Sequence, residues 1–215
     1  MLDENVVSEL VSRQIVSDTF RRLTPEKKFQ VYGAATRLFG EYGYDGLSVD
    51  RICHDAGISK GSFFQYFESK SHLLEFTILV FDDYLAKWVV ELRQHEVAAL
   101  AKDRLKYLYD SLVVNAKLHQ SEQKFFLFVT HGLDHAGVVL EGIDLERHFR
   151  DYVREIVQRG VQTGEIRGDF DVDLTGYLVS MMLEALLRRQ FSGRHIPLRR
   201  TEEYLTSFLF DGIKA

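Results

Sequence analysis

One cysteine, two prolines and one tryptophan occur among 215 residues. A lone Cys53 has no partner for an intrachain disulfide, so the fold must rest on core burial, and the chain suits a reducing compartment. Prolines at positions 25 and 197 leave the long stretch between them free to be helical. No apolar run approaches the ~20 residues of a membrane span, and the N-terminus lacks a charged segment followed by an apolar one, so a cytoplasmic location without a membrane partner is expected. A basic excess is missing too: the formal net charge is -5. Neither a glycine-rich phosphate loop nor a GxSxG elbow is present, and Cys53 stands alone, so no catalytic constellation, metal site or cofactor motif supports an enzyme. What remains is a 46% hydrophobic chain with long helical patterns, enough to bury one or two cores. The fold class expected is all-α.

The most informative stretch is Leu47 to Lys70, LSVDRICHDAGISKGSFFQYFESK. Ser48 can N-cap a helix through Ile52 and Cys53, with Asp50 in its first turn, where a negative charge suits the positive helix end. Gly57 stops that helix, and Ser59 caps a second one over Lys60 to Tyr66 only two residues later. So short a connection forces a steep angle, as in a helix-turn-helix. Ser59-Lys60-Gly61-Ser62 is small, polar and singly basic, a composition that approaches base edges and phosphates without steric conflict. Ser69 then caps a long apolar-periodic helix, leaving Lys70 free to reach a phosphate.

The run Val31-Tyr32-Gly33-Ala34-Ala35-Thr36-Arg37-Leu38-Phe39-Gly40-Glu41-Tyr42-Gly43-Tyr44, with Leu47-Ser48-Val49, Ile52, Ala56-Gly57-Ile58-Ser59-Lys60-Gly61-Ser62, Tyr66-Phe67 and Ser69-Lys70, resembles the TetR family of bacterial transcriptional regulators. The resemblance implies three helices at 25–67 forming an N-terminal helix-turn-helix DNA-binding domain, followed by a helical ligand-binding and dimerisation domain. It implies a repressor that leaves its operator when a small molecule binds. The organisation expected is an extension at 1–24, a reader at 25–70 and an effector-binding and dimerisation domain at 71–215. DNA contact falls to Ser48, Ser59, Lys60, Gly61, Ser62, Phe64, Gln65, Tyr66 and Lys70. Phe64 stands where the family often has a tyrosine, so a phosphate hydrogen bond is exchanged for packing on sugar or a thymine methyl. Asp50 and Arg51 reverse the family's usual order of charge, and Gln65 replaces a common histidine or tyrosine. Cys53, where alanine is frequent, reads as a small core residue.

Charge argues the other way, since Pro25 to Glu75 holds six Lys or Arg against seven Asp or Glu. Local placement decides: Lys27, Lys28, Lys60 and Lys70 are the cations expected to face a duplex, against the alternative of a solvated charged surface.

Before Thr24-Pro25-Glu26, a good cap and first turn, the apolar residues Val6, Val7, Leu10, Val11, Ile15 and Phe20 recur at helical spacing. They predict a short amphipathic helix that packs on the reader or on a partner subunit; disorder or a DNA-touching arm with Arg21 and Arg22 are the alternatives. Leu73, Thr77, Val80, Phe81, Tyr84, Leu85, Trp88 and Leu92 predict one long bridging helix. Helices are expected near 102–119, 121–135, 143–163, 172–191 and 200–213. The last two carry Leu174, Leu178, Met181, Met182, Ala185, Leu186, Tyr204, Leu205, Phe208 and Leu209, and the resemblance implies that they pair with a second copy as a four-helix homodimer interface.

Aromatic residues crowd the middle helices, and Trp88, Tyr109, Phe128, His131 and Met182 are the candidates for contact with an unidentified apolar or aromatic effector. Plain core packing is the alternative for each. His131 and His135 stand one turn apart, a spacing seen in metal sites, but two ligands complete none. Two functions stay open: a dimeric repressor of a double-stranded DNA operator, and a helical interaction or ligand-binding protein on the same fold.

Overall fold

The computed structural model describes residues 2–96, 100–133 and 144–191, together with Tyr204, Ser207, Phe208 and Gly212. Ten helices run through these residues: α1 (Glu4–Ser12), α2 (Asp18–Arg21), α3 (Pro25–Tyr42), α4 (Val49–Asp55), α5 (Lys60–Tyr66), α6 (Lys70–His95), α7 (Ala101–Leu118), α8 (Gln120–His131), α9 (Arg147–Thr163) and α10 (Val172–Phe191). The chain is all-α. It divides into two compact units, 1–85 with 119–145, and 86–118 with 146–215, and α6 is covalently common to both.

In the first unit five helices, α2 to α6, start on hydroxyl caps. The side chains of Ser17, Thr24, Ser48 and Ser59 accept from the backbone N–H of Phe20, Lys27, Arg51 and Ser62, and Ser69 does the same for His72. Pro25 takes the first helical position of α3, where its missing N–H costs nothing. The core is aromatic: Phe20, Phe39, Phe63, Phe67, Phe76, Phe81 and Phe125 are all fully buried. Phe20 meets Phe76 edge-on at 5.0 Å and Phe67 at 5.2 Å, arrangements worth about 0.5–1.5 kcal/mol each beyond their area. Burial of Tyr32 pushes its phenol far up, so the ring stays neutral.

The residues before Thr24 form two helices where one was expected. α1 buries Val7 and Leu10, and α2 buries Phe20. Gln14 turns the chain between them with φ 61°, a left-handed conformation more usual for glycine. α8 packs along α3. Gly40 lies so close to it that a Cβ would sit 2.7 Å from the backbone nitrogen of Phe125, and Phe128 stacks parallel to Phe39 at 6.3 Å.

The second unit is built on Val89, Leu105, Leu108, Tyr109, Val113, Tyr152, Val153, Ile156, Val157, Val179 and Leu183. Gly160 and Gly176 allow close approach: a Cβ on Gly160 would meet Ile166 at 2.7 Å, and one on Gly176 the backbone of Arg154 at 3.1 Å. Tyr152 donates to Glu96 at 2.6 Å, and Arg104 completes the ion pair at 2.5 Å. Desolvation and that bond hold the Tyr152 phenol far above its ordinary range. The expected helices at 102–119, 121–135, 143–163 and 172–191 correspond to α7 to α10 with small shifts at their ends; 200–213 lies mostly outside the described residues, as do His135, Leu205 and Leu209.

Candidate DNA interface

α4 and α5 are joined by a turn fixed at both ends. Gly57 adopts φ 57°, while its N–H bonds to the His54 carbonyl and that of Ile58 to the Cys53 carbonyl. This double closure of a helix end needs a left-handed residue, the physical reason for glycine there. Two residues on, the Ser59 hydroxyl accepts from the Ser62 N–H at 2.9 Å and also contacts the Ser62 hydroxyl at 2.8 Å. α5 thus begins rigidly at a defined angle to α4. Arg37, from α3, pairs with Asp55 at the end of α4 and fixes the third helix of the group.

The outer face of α5 presents Lys60, Gly61, Phe64 and Gln65, all exposed, with Ser62 half-buried between them. A side chain on Gly61 would meet only the Ser59 hydroxyl, at 3.7 Å, so this face is open. Phe64 is 53% exposed and leans edge-on against buried Phe63. A large apolar ring held at the surface of an otherwise polar helix face suits contact with sugar or with a thymine methyl. Tyr66 is half-buried, its ring 5.9 Å from that of Phe20. Ser48 is occupied in capping α4, accepting from Arg51 at 3.2 Å.

The lysines divide sharply. Lys60 reaches out of α5 but lies 2.9 Å from Asp50 on α4, both exposed. Lys27 donates to the Gly57 carbonyl and to Gln30. Two expectations need correcting. Lys28 does not face outward: it is buried and pairs at 2.8 Å with Glu4 of α1. Lys70 is not free: its ammonium donates to the carbonyls of Tyr44 and Leu47, at 2.7 and 2.9 Å, and lies over the Tyr44 ring. It ties down the connection before α4, where loop carbonyls would otherwise lack donors. Sequence reasoning missed Arg51 as a surface group. Exposed, it stacks over the Tyr42 ring at 3.7 Å, a contact between residues nine apart that no local pattern announces.

Of the proposed effector contacts, Trp88, Tyr109 and Met182 come together around the core of the second unit, with Trp88 edge-on to Phe149 at 5.5 Å. Phe128 and His131 belong to the first unit, the former packed between Phe39 and Phe125, the latter exposed.

Two serine-capped helices around a tight turn, a small polar outer face and a long following helix define a helix-turn-helix DNA-binding protein. Residues 31–76 match the family model described as bacterial regulatory proteins, tetR family. Over 169 residues the chain is 24% identical to the HTH-type transcriptional repressor AcnR of Corynebacterium diphtheriae, covering 78% of this chain and 82% of that one. Its fold resembles a TetR family transcriptional regulator from Chloroflexus aurantiacus, with a TM-score of 0.72 and 20% identity, over 93% of this chain and 99% of the other. It also resembles the transcriptional regulator FadR from Bacillus subtilis in complex with stearoyl-CoA, with a TM-score of 0.64 and 20% identity, over 86% and 99%. Residues 31–76 are thus a DNA-binding segment of the tetR type, and the chain is a DNA-binding regulator similar to TetR family transcriptional regulators.

Proposed function

We infer that this regulator is a dimeric repressor, not an enzyme, that binds a palindromic operator and is released by a small-molecule effector. The observation that carries the reading is the exposed face of α5, held at both ends by backbone bonds and offering Lys60, Ser62, Phe64 and Gln65 to a major groove. Ser59 and Ser48 stand at helix starts beside it, and Tyr66 and Arg51 flank it for backbone contact. One seven-residue helix reads too few base pairs for useful specificity, whereas two, about 34 Å apart, read an inverted repeat.

The second copy would cover α10. Leu174, Tyr177, Leu178 and Met181 recur on one face of it and are all exposed, while Val179 and Leu183 face inward. For the effector, the aromatic surroundings of Trp88, Tyr109 and Met182 favour an apolar ligand, and the likeness to a FadR bound to stearoyl-CoA supports a lipophilic one. The continuity of α6 from one unit into the other is the route by which a change around Trp88 reaches the reader.

The Asp50 carboxylate beside Lys60 favours the rival, a ligand-binding or interaction protein with weak DNA contact. Selection of sites from random duplex DNA decides. Recovery of an inverted repeat, with binding lost in Lys60→Ala, supports the repressor. Recovery of nothing by a folded dimer supports the rival.

A further inference from the structure

We propose that the N-terminal extension is a brace for the recognition helix and that Ser17 is its positioning residue, a role that rests on the reading of α5 as the DNA-contacting helix. A seven-residue helix leaves its last carbonyls without intrahelical donors. At the end of α5 two of these are taken up from 48 or more residues away: the Ser17 hydroxyl donates to the Gln65 carbonyl at 2.5 Å, and the Ser17 N–H to the Tyr66 carbonyl at 3.0 Å. The same hydroxyl accepts from the Phe20 N–H at 3.2 Å, so Ser17 starts α2 while finishing α5. A hydroxyl can do both because it carries one donor hydrogen and two lone pairs.

The extension that presents Ser17 is itself anchored. Phe20 is fully buried and its ring stands 5.9, 5.2 and 5.0 Å from those of Tyr66, Phe67 and Phe76, the first two at the end of α5 and the third on α6. Arg13 pairs with Glu75 of α6 at 3.2 Å, and Glu4 with the buried Lys28 of α3 at 2.8 Å. The extension therefore touches α3, α5 and α6, and its last contact is with the two residues that end the reading face. The family-model match begins at residue 31, so the unit that sets the pitch of α5 is larger than the matched segment. A helix end tied by two hydrogen bonds rather than left to water holds Gln65 and Tyr66 in one orientation, which favours the correct sequence over any other duplex.

Three variants of the full-length protein separate the two roles of the hydroxyl. Ser17→Thr keeps donor and acceptor, Ser17→Asp keeps the cap on α2 but cannot donate to Gln65, and Ser17→Ala loses both. Each is read by amide hydrogen exchange without DNA, and by the ratio of affinities for a selected operator and an unrelated duplex. Loss of about 1 kcal/mol of local stability corresponds to about fivefold. The expected result is exchange in α5 about fivefold faster in Ala and Asp, with α7 and α9 unchanged, and operator preference about fivefold lower, both restored in Thr.

Unchanged exchange in α5 would overturn the brace. Faster exchange with an unchanged operator preference would overturn the positioning role, leaving Ser17 as a packing residue only. A wild-type protein that selects no sequence would sink the DNA reading of α5, and the positioning role with it, whatever the exchange rates show; the exchange arm tells that failure apart from failure of the brace.

Discussion

The Lys60 ammonium lies 2.9 Å from the Asp50 carboxylate, so the only lysine on the recognition helix is already shared with an acidic group of the neighbouring helix. Both side chains are exposed, at 59% and 71%, and an exposed pair of this kind adds little to stability. Its effect falls on binding. A phosphate approaching Lys60 must compete with Asp50 and is repelled by it.

Asp50→Asn is accordingly expected to leave the melting temperature nearly unchanged while tightening DNA binding severalfold at low salt. Releasing Lys60 for one more phosphate also steepens the fall of log affinity with log salt by roughly 0.9. Titrations of fluorescent duplex at several salt concentrations check both. A slope equal to that of wild type would mean that Lys60 already reaches its phosphate despite Asp50, or never does.

Gly33 and Gly40 both lie on α3 and predict opposite responses to alanine. Around Gly33 a Cβ meets nothing within 4 Å, so Gly33→Ala should stabilise the protein by up to about 1 kcal/mol through helix propensity alone. On Gly40 the Cβ would stand 2.7 Å from the Phe125 backbone nitrogen and 3.0 Å from Lys124, which forces α3 and α8 apart. Gly40→Ala should therefore cost about 1–3 kcal/mol. Urea denaturation of the two variants in parallel tests the pair, and equal midpoints would contradict the close packing of α8 on α3.

Cys53 is buried, and desolvation, with a smaller contribution from Asp50, raises its thiol above the ordinary range. Little thiolate exists at neutral pH, so attack on thiol reagents is slow for want of both charge and access. The native protein at pH 7.5 should resist labelling over the time in which the urea-unfolded chain labels fully. Operator binding should be insensitive to mild oxidant. Rapid native labelling would show that α4 opens readily or that the thiol carries a function.

The local signals explain which parts were legible in the sequence. Thr24, Ser48, Ser59 and Ser69 are recognisable as caps in the sequence and cap helices in the structure, because a cap acts two or three residues ahead. Gly57 is recognisable as a stop for the same reason. Lys28 and Lys70 were misplaced because their partners lie far along the chain: Glu4 is 24 residues from Lys28, and the Tyr44 carbonyl is 26 from Lys70. A lysine near a helix start looks the same in sequence whether it meets phosphate or a buried carboxylate. Ser17 escaped notice as a cap since α2 is only four residues long, too short to show a period. The effector candidates were split for a related reason. Aromatics at helical spacing say that a face is buried but not in which core, and Phe128 stacks on Phe39 in one unit while Tyr109 and Met182 pack in the other.

The exposed stripe on α10 yields the prediction with the widest consequence. Gly176, Val179 and Leu183 face the interior of the second unit, with Gly176 against the backbone of Arg154, which turns Leu174, Tyr177, Leu178 and Met181 outward at 42–58% exposure. Spacings of three, four and seven residues keep them on one side of the helix, the arrangement by which a helix packs on its own copy. If this face forms a two-fold interface, one substitution enters twice, so Leu178→Glu would bury a charge from each copy without a partner. The expected outcome is a monomer by light scattering with unchanged helical content, since Leu178 contributes little to its own unit. Operator affinity should fall by orders of magnitude, because each half-site would then bind one reader alone. A Leu178→Glu protein that stays dimeric would move the interface off this face of α10. A monomer that still binds the operator as tightly would detach DNA reading from dimerisation altogether.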